Sequence, residues 1–336
     1  MRAIISAFAL AFAAIGATAA PSVANAAASG HGTASAIPHG ITLDGLQDWL
    51  PAQSAHDRGL ALAPGRLLKM EQQIYAARND WNANVVRFQI VQDKLVGASG
   101  RSFSAVYMQD IRTVTDYALG LGLRVVLNAQ TETTPGFPRN EPLPTQATRS
   151  FWQHIMTYYK NNPNVIFDLF NEPRNCSWAQ WRRAMQGLLD YVRNAGAGNT
   201  VWVEGRWWGS TLAGAPLLHG TGIVYSFHHP GSPWPGQAPV TRRTWDRAFG
   251  YLASRGIPVV DGEFVNYSGG YHWQHPVATI SRYLRYLSAH HIGLTAWTLG
   301  LPGVLNSTGS LTSVTHEPRG CGRMLKSWFT RMGPRG

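Results

Sequence analysis

The chain has few cysteines and few charged residues. Cys176 and Cys321 are its only cysteines among 336 residues, too few for a disulfide-based fold or for a zinc site made of cysteines alone. Charged residues make up 14% of the chain, against about 25% in an average soluble domain. Hydrophobic residues make up 44%, with 13 Trp, 12 Tyr and 12 Phe, so the chain can build a large core and global disorder is excluded.

Acidic residues are scarce beside basic ones. The chain has 18 Asp and Glu against 29 Lys and Arg, a formal net charge of +11. The basic residues are scattered, and no run of them alternates with aromatic residues as in a strip that binds nucleic acid. We therefore expect a solvated basic surface and no nucleic-acid partner.

The sequence also lacks the motifs of common metal and phosphate sites. Its close histidine pairs, at 228–229, 272–275 and 290–291, do not have the His-Glu-x-x-His spacing that places two ligands on one helix face. No glycine-rich phosphate loop is present, and residues 209–211 do not fit the Gly-x-Ser-x-Gly turn of a serine nucleophile. We expect neither a metal nor a cofactor.

A long apolar run occurs once, at the N-terminus. Arg2 precedes an apolar stretch over 3–15, and two Ala-x-Ala patterns follow it. This order predicts a secretory signal peptide over 1–26 and a flexible segment over 27–38. The alternative is a membrane anchor, although the run is shorter than the ~20 residues of a spanning helix. We expect a secreted or periplasmic protein without stable membrane insertion.

Export would permit a disulfide between the two cysteines. Cys176 lies in the middle of the chain, and Cys321 lies beside the predicted C-terminal helix. A Cys176–Cys321 bridge is one expectation, and two free thiols are the other.

Eight short segments rich in β-forming residues alternate with helical patterns. Strands are predicted at 40–46, 84–90, 124–130, 165–171, 200–205, 223–228, 258–263 and 293–298. Helices are predicted at 66–81, 106–119, 148–159, 179–192, 243–253, 277–289 and 323–331, with only a short one at 211–218. Most strands are continuous apolar runs, as expected of parallel strands buried on both faces. The alternation predicts an α/β fold, a single-domain (β/α)8 TIM barrel over 39–336, with active groups at the C-terminal ends of its strands.

A glutamate follows the fourth predicted strand, and another ends the seventh. Glu172 follows the fourth strand in the run DLFNEP (168–173), and Glu263 ends the seventh in VDGEF (260–264). A carboxylate at the mouth of an apolar strand is costly unless its charge is used. Strands four and seven lie across an eight-stranded ring, so both carboxyl groups can face one cavity. Such a pair is the minimum for cleaving a glycosidic bond, one group protonating the leaving oxygen and the other attacking the sugar or activating water.

Tryptophans follow several of the predicted strands. Trp297 lies on the eighth strand, Trp207 and Trp208 follow the fifth, and Trp234 follows the sixth. Aromatic rings bury the C–H faces of sugars and leave the hydroxyl groups to polar partners. These residues are expected to line a saccharide groove, and packing in the core or in a loop is the alternative.

These motifs resemble glycoside hydrolase family 5, the cellulase family of the large clan of barrel glycosidases. The resemblance covers about 40–297 and rests on FNEP (170–173), Arg87 in VVRF (85–88), His228, Glu263 and Trp297. It implies a retaining double displacement in which Glu172 is the acid/base and Glu263 the nucleophile.

The resemblance also implies roles for the residues around the two glutamates. Asn171 is expected to hydrogen-bond the 2-hydroxyl of the sugar, and Trp297 to stack beneath the sugar next to the scissile bond. Arg87 is expected to keep Glu263 ionised, because a nearby cation favours a carboxylate. His228 is expected to belong to the polar network of the site.

Two positions depart from the family pattern. Where the family has a histidine near the end of the third strand, this chain has Gln130 or Asn128, and Gln130 can bind a sugar hydroxyl but cannot carry a proton. Where the family has a tyrosine two residues after the sixth-strand histidine, this chain has Pro230. The expected substitutes for that tyrosine are Tyr267, Tyr225 and His229.

Together these features predict a secreted, monomeric endo-β-glycosidase whose partner is a polysaccharide or oligosaccharide. A β-linked glucan, and β-1,4-glucan first, is the expected substrate. The same fold could instead act on mannan, xyloglucan, β-1,3-glucan or a glycolipid. A carbohydrate-binding barrel without catalysis is the alternative from another class.

Overall fold

The computed structural model describes residues 37–46, 64–131, 141–228, 240–264, 276–299 and 321–332. Several predictions fall outside these residues: the signal peptide, most of the flexible segment, Trp234, Tyr267, His229, Pro230 and the side chain of Cys321. Ala36–Gly336 forms one compact unit. None of the helices within the described ranges is long and apolar enough to cross a membrane.

Eight parallel strands close into a barrel in chain order. They are β1 His39–Leu43, β2 Val85–Val91, β3 Arg124–Gln130, β4 Val165–Asp168, β5 Val201–Glu204, β6 Ile223–His228, β7 Val259–Phe264 and β8 Gly293–Trp297. β8 pairs with β1 and completes the ring. The predicted (β/α)8 TIM barrel is therefore confirmed, with strand bounds close to the predicted ones.

Helices surround the barrel between the strands. In chain order they are α1 Pro64–Asn79, α2 Gln92–Val96, α3 Ala105–Gly120, α4 Gln146–Tyr159, α5 Trp178–Asn194, α6 Arg242–Trp245, α7 Tyr251–Ala253, α8 Val277–Ala289 and α9 Cys321–Arg331. A π-helical turn over Asp246–Gly250 joins α6 to α7. The sequence does not predict α2, a five-residue helix directly after β2.

The short helix predicted over 211–218 is wrong. That segment is a loop, tied by an isolated bridge between Arg206 and Thr211. Gly214 adopts a left-handed backbone with φ of 73°, and Pro216 has no N–H to donate. Both features break a helix, so the stretch after β5 stays irregular beside the rim of the barrel.

The interior of the barrel contains two layers of side chains. The first, the apolar layer, consists of Val85, Val126, Ile166, Trp202 and Val260, which pack together. Two positions further along four of these strands lies the polar layer, which consists of Arg87, Asn128, Asp168 and Glu204. Because residues two apart share a face of a strand, both layers point inward. All four side chains of the polar layer are fully buried. Charged groups therefore lie in the interior of the barrel, on the C-terminal side of the apolar layer.

The ladder between β6 and β7 shifts its register beside Gly262. His228 pairs with Glu263, one residue further along β7 than the preceding pairs would give, so Gly262 is the extra residue of a β-bulge. Val260 faces the interior, and strict alternation would turn Glu263 towards the helices. The bulge turns Glu263 inward instead. A Cβ atom at position 262 would collide with Oγ of Ser226, so any residue other than glycine would force the serine side chain to move.

Candidate active site

The guanidinium group of Arg87 lies at the centre of the site. Its Nε donates to Oδ2 of Asp168 at 2.9 Å and its Nη1 to Oε2 of Glu263 at 2.9 Å. Its Nη2 donates to Oδ1 of Asn171 at 2.7 Å and to Oε1 of Glu204 at 3.0 Å. Burial alone would lower the pKa of Arg87, but the surrounding carboxylates raise it above its ordinary value. One fully charged side chain from β2 therefore fixes groups from β4, β5 and β7.

Glu204, at the end of β5, is a site residue that the sequence analysis misses. It is fully buried and accepts a hydrogen bond from the backbone N–H of Glu172 at 2.6 Å. Asn128 Nδ2 donates to it at 3.4 Å. Burial opposes its ionisation, but His228 and Arg87 outweigh burial and lower its pKa to about 2. The sequence does contain a signal for Glu204. The apolar run VWVE (201–204) leads into a glutamate, as do the runs before Glu172 and Glu263.

His228 lies between three carboxyl groups. Its Nδ1 is 3.0 Å from Oε1 of Glu172 and 3.7 Å from Oε2 of Glu263, and its Nε2 is 3.2 Å from Oε1 of Glu204. Burial lowers the pKa of His228, but Glu204 and Glu263 together raise it well above the ordinary value. The neighbouring carboxylates therefore favour the charged form of the imidazole.

Two basic side chains lie among the buried acidic groups of the site. Burial and the neighbouring Glu204 raise the pKa of Asp168 well above its usual range, although Arg87 opposes them. Arg87 forms ion pairs with Asp168, Glu204 and Glu263, and His228 lies beside Glu204 and Glu263. Opposite charges paired within a buried cluster offset the cost of removing each ion from water.

Glu172 and Glu263 face each other across the mouth of the barrel. One carboxylate oxygen of each lies within 4.8 Å of the other, together with a ring nitrogen of His228. Their side chains keep 10% and 9% of their surface exposed while their neighbours keep none. Retaining glycosidases separate their carboxyl groups by about 5–5.5 Å and inverting ones by about 6.5–9.5 Å. The approach of the two oxygens here is closer than the separation in inverting enzymes.

The same three side chains are spaced like a metal-binding group. Arg87 Nη1 already donates to Glu263, and the surrounding carboxylates favour the protonated form of His228. A metal ion would have to replace one cation and deprotonate the other before it could bind these atoms. The donor set therefore does not fit a resident metal.

Trp297, at the end of β8, is half-buried at the rim of the site. Its indole Nε1 donates to Oε1 of Gln89 at 3.1 Å. Nε2 of Gln89 in turn donates to Oε2 of Glu263 at 3.2 Å. The sequence analysis misses Gln89, because nothing in the local pattern of β2 indicates a partner 208 residues away.

Trp207 and Trp208 lie in the loop after β5. They are 56% and 39% exposed, which excludes the alternative that they pack in the core. Both have left-handed backbone conformations, with φ of 60° and 55°. The backbone N–H of Trp208 donates to the carbonyl oxygen of Pro173, the residue after Glu172. This contact places exposed indole surface beside the loop that carries Glu172.

Gln130 ends β3 and is fully buried. Its amide nitrogen and oxygen both lack a hydrogen-bond partner among the described residues. An unsatisfied amide is costly in a dry interior, so the described residues leave the hydrogen-bonding capacity of Gln130 unused.

The predicted disulfide is not formed. Cys176 is a free, half-buried thiol, and burial raises its pKa. Cys176 follows β4, whereas Cys321 begins α9, which packs on α8 through a 3.1 Å hydrogen bond from Trp328 to Leu284. The two cysteines therefore belong to opposite sides of the barrel, and a disulfide needs Cα atoms within about 7 Å.

The chain matches known glycosidases over most of its length. The family model for cellulases, glycosyl hydrolase family 5, matches residues 58–301. Endoglucanase E-5 of Thermobifida fusca is 22% identical over 169 residues, which are 47% of this chain and 34% of that protein. The manganese-dependent endoglucanase Eg5A of Phanerodontia chrysosporium is 28% identical over 137 residues, 39% of this chain and 35% of that protein. This chain thus aligns with about a third of these curated relatives.

A solved structure matches the fold more completely. The β-glucanase of Saccharophagus degradans, crystallised with cellotetraose, has a TM-score of 0.66 at 20% identity, with 88% of each chain covered. This likeness concerns the fold, whereas the family model covers sequence from before β2 to the end of β8. The chain therefore belongs to the cellulase family of glycoside hydrolases, glycosyl hydrolase family 5.

Proposed function

We propose that the protein is a retaining endo-β-glycosidase that hydrolyses β-linked glucan, with β-1,4-glucan as its first substrate. The observation that carries this proposal is the pair of facing carboxyl groups, Glu172 and Glu263, whose oxygens approach within 4.8 Å. The names of the relatives, two endoglucanases and a β-glucanase with cellotetraose, support the choice of substrate.

In the first step, Glu263 attacks the anomeric carbon and Glu172 gives its proton to the leaving glycosidic oxygen. Glu263 suits the nucleophile because Arg87 donates to its carboxylate at 2.9 Å and stabilises the ionised form. Glu172 is assigned as the acid because Glu263, the carboxylate that Arg87 bonds, lies across the cavity from it within 4.8 Å. The step leaves a glycosyl ester on Glu263 and an ionised Glu172.

In the second step, Glu172 accepts a proton from water, whose oxygen attacks the anomeric carbon and breaks the ester. Ester formation removes the negative charge of Glu263, while the cations Arg87 and His228 remain. The cluster then carries excess positive charge, which stabilises the ionised Glu172 that this step needs. One residue can thus act first as acid and then as base.

The substrate is held by polar groups and by aromatic surface. Asn171 accepts from Arg87 through Oδ1, and its amide nitrogen is the proposed donor to the 2-hydroxyl of the sugar. Gln130 supplies a second amide at the rim of β3. Trp297 stacks beneath the sugar that is attacked, and Trp207 and Trp208 stack on sugars of the leaving side, next to the loop of Glu172.

The name of the fungal relative states manganese dependence, but this chain is not proposed to use a metal. Arg87 already donates to Glu263 at 2.9 Å, and the surrounding carboxylates raise the pKa of His228, so both side chains oppose a metal ion at these atoms. Export to the periplasm or medium is part of the proposal and rests on the N-terminal sequence pattern.

The test assigns each glutamate its own role. Glu263→Ala and Glu172→Ala should each lower hydrolysis of cello-oligosaccharides by about 10⁴-fold or more. With an aryl β-cellobioside and azide, Glu263→Ala should form the α-glycosyl azide, because azide attacks directly from the vacated face. Glu172→Ala should form the β-glycosyl azide, because azide attacks the ester on Glu263.

Asp190→Asn is the matched control, because Asp190 is an exposed carboxylate on α5. It should keep the wild-type rate. Wild-type rates in both alanine variants would contradict the proposal, and exchanged products would reverse the two roles. A panel of cellulose, β-1,3-glucan, mannan and xyloglucan with reducing-end detection tests the substrate.

A further inference from the structure

Gln89 links the aromatic platform of the site to one of its carboxylates. It lies on β2 two residues after Arg87, so both side chains point into the barrel. Gln89 is 3% exposed. Its Oε1 accepts from Trp297 Nε1 at 3.1 Å, and its Nε2 donates to Oε2 of Glu263 at 3.2 Å.

The chemistry of the two partners fixes the orientation of the Gln89 amide. The indole N–H of Trp297 can only donate, so it needs the amide oxygen. The ionised carboxylate of Glu263 can only accept, so it needs the amide nitrogen. The reversed amide would place oxygen against oxygen at one end and two donors together at the other. No other orientation satisfies both ends, and glutamine suits this place because it carries a donor and an acceptor side by side.

We propose that Gln89 is a positioning residue that holds Glu263 ionised and aimed, and that ties it to the sugar platform Trp297. The proposal rests on the proposed function, in which Glu263 is the nucleophile. A donor on the ionised carboxylate forms a charge-assisted hydrogen bond, which is stronger than a neutral one. The bond to Trp297 sets where a stacked sugar lies relative to that carboxylate, and small errors in this distance cost rate.

Gln89 acts beside four ionisable groups that face Glu263 or its strand. Arg87 donates to the same oxygen at 2.9 Å, and His228 lies 3.7 Å from it. Glu172 lies across the cavity within 4.8 Å, and Asp261 lies two residues earlier on β7, bonded to Tyr283 of α8 at 2.6 Å. Gln89 is the neutral donor in this set, so replacing it changes hydrogen bonding without removing a charge.

Two variants separate the two ends of Gln89. Gln89→Met has a similar length and loses both hydrogen bonds. Gln89→Glu keeps an acceptor for Trp297 but faces Glu263 with an oxygen and a like charge. Gln109→Met and Gln109→Glu, at an exposed position of α3, are the matched controls.

The first measurement is a pH titration of carbon-13 labelled glutamate side chains. The Glu263 signal is assigned by its loss in Glu263→Gln. Gln89→Met should raise its midpoint by about one pH unit, and Gln89→Glu should raise it further. The acid limb of kcat/KM on cello-oligosaccharides should move to higher pH by the same amounts, whereas the controls should leave both unchanged.

The second measurement follows the indole N–H signal of Trp297, assigned with Trp297→Phe. Gln89→Met should shift this signal and raise KM about tenfold, whereas Gln89→Glu should keep both closer to wild type. A role in packing alone would lower stability without moving the titration, the acid limb or the indole signal, and that result overturns the proposal.

The titration and the indole signal do not depend on turnover. Failure of the two active-site alanine variants to lose hydrolysis would therefore contradict the proposed function alone. An unchanged Glu263 midpoint in both Gln89 variants would contradict the role of Gln89 alone. If Gln89→Met does not fold, Gln89→Glu still decides, because its like charge must raise the midpoint if the two side chains are in contact.

Discussion

The apolar layer and the polar layer inside the barrel occupy neighbouring positions of the same strands, yet burial has opposite consequences in them. Ile166 and Asp168 on β4 are two residues apart and both buried, as are Trp202 and Glu204 on β5. In the apolar layer, removal from water stabilises the fold. In the polar layer, it concentrates charges whose mutual compensation determines both stability and chemistry. Changes in one layer should therefore affect quantities that changes in the other do not.

The largest effect is expected from Arg87→Lys in the polar layer. A lysine ammonium keeps the charge but cannot present the planar fork that reaches Asp168, Glu204, Asn171 and Glu263 together. We expect kcat/KM to fall about 100-fold or more and the free energy of unfolding to fall by about 1–3 kcal/mol.

Kinetics and urea unfolding measure both effects of the Arg87 change. Arg183→Lys, at an exposed position of α5, serves as the control and should leave both values unchanged. Full activity in Arg87→Lys would mean that charge alone, without the fork, organises the site.

Ile166→Ala tests the apolar layer. Truncation leaves a cavity in a closely packed interior, so the free energy of unfolding should fall by about 2–5 kcal/mol. Because the apolar layer is buried beneath the polar layer, we expect no contact with substrate. The value of kcat/KM should therefore stay within about twofold at temperatures well below the Tm. Urea unfolding and kinetics on the same sample measure both. Leu68→Ala, at an exposed site of α1, is the control, and a large loss of kcat/KM in Ile166→Ala would remove the distinction between the layers.

Glu204→Gln tests the charge balance of the polar layer. The pKa of Glu204 is lowered to about 2, so its contribution to stability is present above its ordinary pKa of about 4.5 and is lost as the pH falls towards 2. The wild type should therefore lose up to about 1.4 kcal/mol per pH unit more than the variant in this range.

The same change acts on His228 at higher pH. The pKa of His228 is raised, so the stabilisation is fully present below the ordinary value of 6.5 and is lost as the pH rises through the raised value. Glu204→Gln removes a carboxylate that raises this pKa, so the loss should be smaller and should end at a lower pH. Urea unfolding from pH 2 to 9 measures the free energy of unfolding in both pH ranges, with Glu71→Gln on α1 as the control. If Glu204→Gln leaves the pH dependence unchanged, the proposed electrostatic coupling of Glu204 with Arg87 and His228 is contradicted.

The barrel was predictable from the sequence because its pattern of a strand followed by a helix repeats along the chain. Buried parallel strands are continuous apolar runs, and eight of them with intervening helices admit few folds, so the barrel and its strand bounds followed from the sequence. Glu172 and Glu263 could be found because a charge at the end of an apolar strand is conspicuous. Glu204 carried the same signal and was overlooked.

The remainder depends on distances through space. Gln89 meets Trp297 only because β1, which lies between their strands, brings β8 close to β2. The free thiol of Cys176 follows from which side of the barrel α9 covers, and two cysteines in a sequence do not reveal this. The loop over 211–218 follows from backbone conformations that a helical pattern of residues cannot exclude.

The missing side chain at Gly262 sets a rule for anyone who would rebuild this chemistry elsewhere. Copying Glu263 onto the seventh strand of an ordinary regular barrel would aim the carboxylate outwards, into the surrounding helices. The transplant must include the extra glycine, because the hydroxyl of Ser226 lies too close to leave room for a Cβ at that position. Such a design therefore has to copy the one-residue β-bulge in addition to the glutamate.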